Sequence, residues 1–208
     1  MPNAIASLDG ASARWPVLAQ MAGGGRVKDV ALVAAGAAWV AALGQVSIPL
    51  GFTPVPISLG TFAVLTAGAA LGARRAAAAM TLFLVAGVAG LPVFAAGQSG
   101  AGLPTMGYVA GYVVAAALAG WAAQRGFDRS YWRTLGVMAL GSAVVYLVGV
   151  PYLALAAGLD LRGAVIQGMA PFLVGDLVKA LAAAATLPGA WRAVTASGAR
   201  RSRAVTGR

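Results

Sequence analysis

The sequence predicts an all-α membrane protein: six transmembrane helices in a compact bundle, with both termini cytoplasmic. Three observations carry that expectation. Of 208 residues, 60% are hydrophobic and only 10% are charged, with a mean hydropathy of +0.83; a soluble domain carries about 25% charged residues. The chain also holds 29 glycines and 10 prolines, which membrane helices tolerate because small residues let backbones approach closely. Finally, the basic residues fall in every second connection between apolar segments, as the positive-inside rule requires of cytoplasmic loops.

Residues 1–27 are mixed and polar, with Gly23-Gly24-Gly25 as a hinge. No apolar core follows a basic start, so they do not read as a cleaved signal peptide. They are expected to form a flexible cytoplasmic segment, lying along the membrane surface through Trp15. Residues 28–192 form the six-helix domain, and 193–208 a basic cytoplasmic tail.

The first helix runs from Asp29 to Ile48, close to the roughly 20 apolar residues that span a bilayer core. Ala34, Ala37, Ala38, Ala41 and Ala42 give it small residues at four-residue spacing, a pattern for close helix contact within the bundle or with another protein. The stretch Pro49 to Ser58 holds three prolines and no charge. It breaks the helix, and its apolar character means that it folds back over the bundle. The second helix is placed at Leu59–Ala73 and the third at Ala76–Leu91, with Arg74-Arg75 as the turn. A second uncharged, Gly-rich connection, Pro92 to Met106, precedes the fourth helix at Gly107–Ala123. The fifth covers Thr134–Ala157, with a kink at Pro151. The sixth covers Ala164–Trp191, bent by Pro171. Of the 15 basic residues, all but Arg162 and Lys179 then fall on one side.

Absences narrow the function. The chain has no His, no Cys and no Glu, so disulfides, thiolate or imidazole metal sites and Ser-His or Cys-His nucleophile pairs are excluded. No G-x-x-x-x-G-K-[ST] loop occurs; the two lysines, Lys28 and Lys179, do not follow glycine. The net charge of +10 is spread over loops, which speaks for membrane orientation and against nucleic acid. Binding or transport is favoured over catalysis, with no cofactor.

Asp176 and Lys179 are the ionisable residues well inside an apolar segment. Three apart, they share a helix face. A charge at bilayer depth costs roughly 2.5–3.5 kcal/mol and by default marks a site or pathway; an ion pair that only fixes packing is the plainer reading. Phe52, Phe94, Tyr108 and Tyr152 are candidates for an aromatic lining, or for packing and interface anchoring. Together with the two uncharged outer loops, they describe a pocket for a small, mostly apolar molecule with a few hydrogen-bonding groups.

Phe52-Thr53-Pro54-Val55-Pro56-Ile57-Ser58, the run Gly68 to Arg75, Gly90-Leu91-Pro92-Val93-Phe94, Gly107-Tyr108 and Gly175-Asp176-Leu177-Val178-Lys179 occur in that order. The chain resembles the BioY family, the biotin-binding S components of energy-coupling factor transporters, over residues 30 to 190. The resemblance implies an outward-facing biotin site built from the two uncharged loops and the later helices, with Asp176 and Lys179 contacting the ligand. Gln98 stands near where some relatives have Asn. It implies as partners a transmembrane coupling protein and a pair of ATPase subunits, docked on the small-residue face of the first helix at Ala34 and Ala38. The setting is a bacterial plasma membrane, and self-association as a homo-oligomer stays open. The rival reading is a self-sufficient proton-coupled transporter of a vitamin-like solute, with Asp176 as proton carrier.

Overall fold

The computed structural model describes residues 15–22 and 25–206, and the side chains of 15–20 and 25–194. The expected Gly23-Gly24 hinge, most of the N-terminal segment and the last two residues lie outside them. The described backbone forms α1 (Arg26–Gly44), a two-residue β1 (Ser47–Ile48), β2 (Ile57–Ser58), α2 (Gly60–Leu71), α3 (Ala73–Val88), α4 (Met106–Ala123), α5 (Tyr131–Ala157), α6 (Leu161–Gly168) and α7 (Leu173–Thr206).

Among the described residues, four stretches are long and apolar enough to cross a membrane: α1, α4, α5, and α6 with α7 taken together over Leu161–Val194. The chain is thus a mainly helical, multi-pass membrane protein. At 1.5 Å per residue, the 12 residues of α2 reach about 18 Å, short of a hydrocarbon core of about 30 Å.

Several helix ends differ from expectation. The first helix stops at Gly44, short of the expected Ile48, which pairs in β1 instead. No loop separates α2 from α3. Gly72 alone turns the chain, at φ +81°, a conformation that glycine adopts without steric penalty. Arg74 and Arg75 therefore sit in the first turn of α3. The sixth apolar segment is broken rather than bent: Met169 leaves the helical region (φ −133°, ψ −53°), and a single 3-10 turn, Ala170–Phe172, contains Pro171 before α7 begins. Past Trp191, α7 continues to Thr206, through the residues assigned to the tail. At its start, α6 is capped by Asp160, whose carboxylate accepts from the Gly163 N–H at 2.9 Å.

Small residues hold the bundle together. In a bilayer, helices associate through van der Waals contact rather than through burial from water. At the centre, α4 packs against α2, α3 and α5 through buried Ala115, Ala116 and Ala119. The α2–α4 approach is close enough that a Cβ on Gly68 would lie 2.6 Å from the Ala116 carbonyl oxygen. Larger side chains fill the remaining space, with Leu65, Met80, Val145 and Leu153 fully buried.

The connection after α1 is more ordered than its prolines imply. Ser47 pairs with Ser58 and Ile48 with Ile57 in an antiparallel ribbon, which folds Val55 and Thr53 inward and leaves Phe52 exposed. At the opposite end, Trp15 and Pro16 meet the α4–α5 turn, and the 3-10 turn Leu18–Ala22 lies against α2. The Trp15 N–H donates to the Gln124 carbonyl at 2.7 Å, Val17 is buried, and the Arg129 guanidinium lies between the Trp15 and Trp191 rings at 4.5 and 4.0 Å. The Trp191 indole donates to the buried Asp128 carboxylate.

Candidate functional site

The break before α7 positions the charged pair. It starts a new helix inside the apolar segment and puts Asp176 in its first turn, where the positive end of the helix dipole favours a carboxylate. The cut end of α6 is compensated as well: the buried Tyr108 hydroxyl donates to the Gly168 carbonyl at 2.9 Å, taking up one of the carbonyls a helix leaves unpaired at its C-terminus.

Asp176 is held from three sides. Lys179 Nζ lies 3.0 Å from Oδ1, and their side chains are only 10% and 12% exposed. The Tyr146 hydroxyl donates to Oδ2 at 2.5 Å. Thr61, in the first turn of α2, accepts from Lys179 Nζ at 3.1 Å and donates to Oδ1 at 3.4 Å. Both carboxylate oxygens are thereby engaged, as a buried charge requires.

This polar group forms part of the wall of a mostly apolar cavity. Phe94, Phe83 and Tyr112 line one side, with Tyr108, Val145 and Phe172; Val55, Pro56 and Ser58 of the first loop also line it. Phe94 is buried, meets Phe83 edge-on at 5.4 Å, and lies over Gly87, where any Cβ would occupy the ring's place. Gln45, just past α1, pins the second loop: its amide donates to the Phe94 carbonyl at 3.0 Å and accepts from the Gly97 N–H at 2.9 Å.

Of the residues named from sequence, Asp176, Lys179, Phe94 and Tyr108 come together on this cavity. Phe52 and Gln98 are exposed, and Tyr152 faces a separate hollow with Val148 and Met106. Ala34 and Ala38 are exposed on α1. Sequence reasoning did not single out Thr61, Tyr112, Tyr146 or Gln45. A signal existed for one of them: Tyr112 is four residues after Tyr108, hence on the same face of α4.

Comparison with known proteins agrees with this architecture. The BioY family model matches residues 12–196. The chain is 38% identical over 168 residues to a biotin transporter BioY of Rhizobium etli, covering 76% of this chain and 89% of that one. It is 36% identical over 158 residues to a probable biotin transporter BioY of Pyrococcus horikoshii, covering 76% and 93%. Its fold is similar to the crystal structure, at 2.1 Å, of the S-component for biotin from an ECF-type ABC transporter. That match has a TM-score of 0.71 and 26% identity, over 80% of this chain and 92% of the other. With a family match running from before α1 to within α7, the chain belongs to the BioY family.

Proposed function

We propose that the protein is a membrane-embedded biotin-binding protein that mediates biotin uptake as the S component of an ECF-type transporter. The observation that carries this reading is the Asp176–Lys179–Thr61–Tyr146 cluster in the wall of an otherwise apolar cavity, in a chain of the BioY family. Biotin offers matching chemistry: a ureido group with two N–H donors and one oxygen acceptor, a carboxylate, and an apolar bicycle and chain. The Asp176 carboxylate accepts from ureido N–H groups, and the Lys179 ammonium donates to the ureido oxygen or the carboxylate. Phe94, Phe83 and Tyr112 receive the apolar parts. A broken helix whose new N-terminus faces a polar group at membrane depth is a recurrent way to build a transport site. The cavity holds about 70 Å³, against roughly 300–1,000 Å³ for small-molecule pockets. Entry of biotin therefore parts the Pro49–Ser58 loop from the loop pinned by Gln45.

The same proposal covers topology and partners. Six spans with both termini cytoplasmic place the Arg-bearing ends inside and the two loops over the cavity outside. A transmembrane coupling protein and ATPase subunits supply the energy, docking on the exposed small-residue face of α1 at Ala34 and Ala38. The setting is a bacterial plasma membrane. The family relation does not favour self-sufficient proton-coupled transport through Asp176.

The test is biotin binding to the purified protein in detergent, comparing wild type with Asp176→Asn and Lys179→Met. Tight wild-type binding, weakened at least tenfold in both variants, is expected, since a hydrogen bond to a charged group contributes about 1.5–3 kcal/mol. A folded wild type that does not bind biotin overturns the assignment.

A further inference from the structure

A second cavity, far from the Asp176 cluster, opens at the arginine-rich end of the bundle. It holds about 540 Å³ where the α2–α3 turn meets the end of α4. Three guanidiniums line it: Arg74 and Arg75 from the first turn of α3, and Arg125 just past α4. One carboxylate, Asp29, shares the lining and is taken by Arg75 at 2.6 Å. Arg74 and Arg125 have no carboxylate partner among the described residues. The cavity therefore keeps two uncompensated positive charges, with the Gln124 amide as a further neutral donor.

Its surroundings name the ligand. The Arg125 guanidinium carbon lies over the ring of Trp121, 3.9 Å from its centroid, and Trp121 is 43% exposed, as suits an indole at headgroup depth. Leu71 lines both this cavity and a second hollow of about 340 Å³. That hollow continues along α1, α2 and α7 past Trp39, Ala67, Ala70 and Leu187. Its polar lining atoms are paired with each other, the Trp39 indole donating to the Thr66 hydroxyl at 3.4 Å. Gly36 and Trp39 contribute from the side of α1 away from Ala34 and Ala38, so this groove is separate from the small-residue face. A basic cup joined at one residue to a dry groove is complementary to a molecule with an anionic head and a hydrocarbon tail. We propose that this site binds an anionic phospholipid of the surrounding bilayer, its phosphate held by Arg74 and Arg125 and an acyl chain lying beyond Leu71.

The full-length protein is equilibrated with equimolar phosphatidylglycerol and phosphatidylcholine in detergent, and the lipid retained is counted by native mass spectrometry. Wild type is expected to retain phosphatidylglycerol selectively. The Arg74→Gln/Arg125→Gln protein is expected to lose that selectivity about tenfold, the value of one charge-assisted hydrogen bond. Arg133→Gln/Arg162→Gln, with the same charge removed elsewhere, is expected to keep it. Ala70→Phe, which fills the apolar groove and leaves the arginines, is expected to weaken it too. If the glutamine pair does not fold, Arg74→Lys/Arg125→Lys takes its place, retaining charge and losing the planar fork; a selectivity equal to wild type then counts against the arginine geometry. Equal retention of both lipids by wild type, or equal loss in the Arg133→Gln/Arg162→Gln control, overturns the proposal. Displacement of the lipid by millimolar inorganic phosphate overturns it as well, assigning the cup to a soluble anion.

Discussion

Replacing Lys179 by Met removes one half of a buried ion pair and leaves the other half in place. At 3.0 Å and an effective dielectric of about 20, the pair's mutual attraction is roughly 5–6 kcal/mol. Desolvation of both groups offsets much of it, so the informative quantity is the cost of breaking the pair, about 3–5 kcal/mol for buried partners. Asp176 then keeps the Tyr146 and Thr61 donors and the start of α7, which holds the loss to the lower part of that range. For a chain of this length each kcal/mol moves the melting midpoint by about 2–4 °C, so Lys179→Met is expected to melt on the order of 10 °C below wild type in detergent. The double variant Asp176→Asn/Lys179→Met removes both charges and is expected to recover most of that difference. It is expected not to recover biotin binding. Stability and binding thus separate, which a pair that served packing alone would not show. A Lys179→Met protein that melts within about 2 °C of wild type would refute the reasoning, because water would then be compensating the carboxylate.

Three further outcomes follow from neighbouring contacts. Tyr146→Phe removes the hydroxyl that donates to Asp176 Oδ2 and is expected to weaken biotin binding about 5- to 100-fold, the range for an unpaired buried acceptor; titration calorimetry checks it, and unchanged affinity refutes a role for Tyr146 in setting the carboxylate. Gly87→Ala puts a methyl where the Phe94 ring lies, so the cavity wall must shift at a cost of about 1–3 kcal/mol; a lower melting midpoint with weaker biotin binding is expected, and an unchanged protein would show that the ring is free to leave. At the basic end, burial pushes the Asp128 carboxyl up from its usual range, against the lowering effects of the Trp191 hydrogen bond and the Arg129 charge. The folded state then holds that proton more tightly than the unfolded one. Asp128's contribution is full below about pH 3.9 and is lost as pH rises through the raised value. Asp128→Asn keeps an oxygen for the Trp191 indole and is expected to melt above wild type at pH 7, with the gap closing toward pH 4; parallel curves across that range contradict the sign.

The sequence made the bundle legible where the physics is local and compositional. Apolar length marked α1, α4 and α5, and the carboxylate and ammonium three apart stood out because charge is rare at bilayer depth. What it hid depends on through-space geometry. Tyr146 sits in the run Val144-Val145-Tyr146-Leu147, where it reads as one more packed aromatic; only the crossing of α5 and α7 brings its hydroxyl to Asp176. Thr61 looks like a neutral helix residue until α2 is seen to start beside Lys179. Phe52 drew attention as an aromatic in a broken loop, but the pairing of Ser47 with Ser58 and Ile48 with Ile57 folds the loop so that Val55 and Pro56 line the cavity instead. Pro171 signalled a disturbed helix and reads from the sequence as a bend, which the structure corrects to a break. A bend would have kept the Gly168 carbonyl within one continuous helix. The observed break frees that carbonyl, gives it to Tyr108 and opens a new helix start ahead of Asp176. The effect of the break is electrostatic: it exchanges one turn of backbone hydrogen bonds for a helix N-terminus ahead of a carboxylate inside an apolar segment.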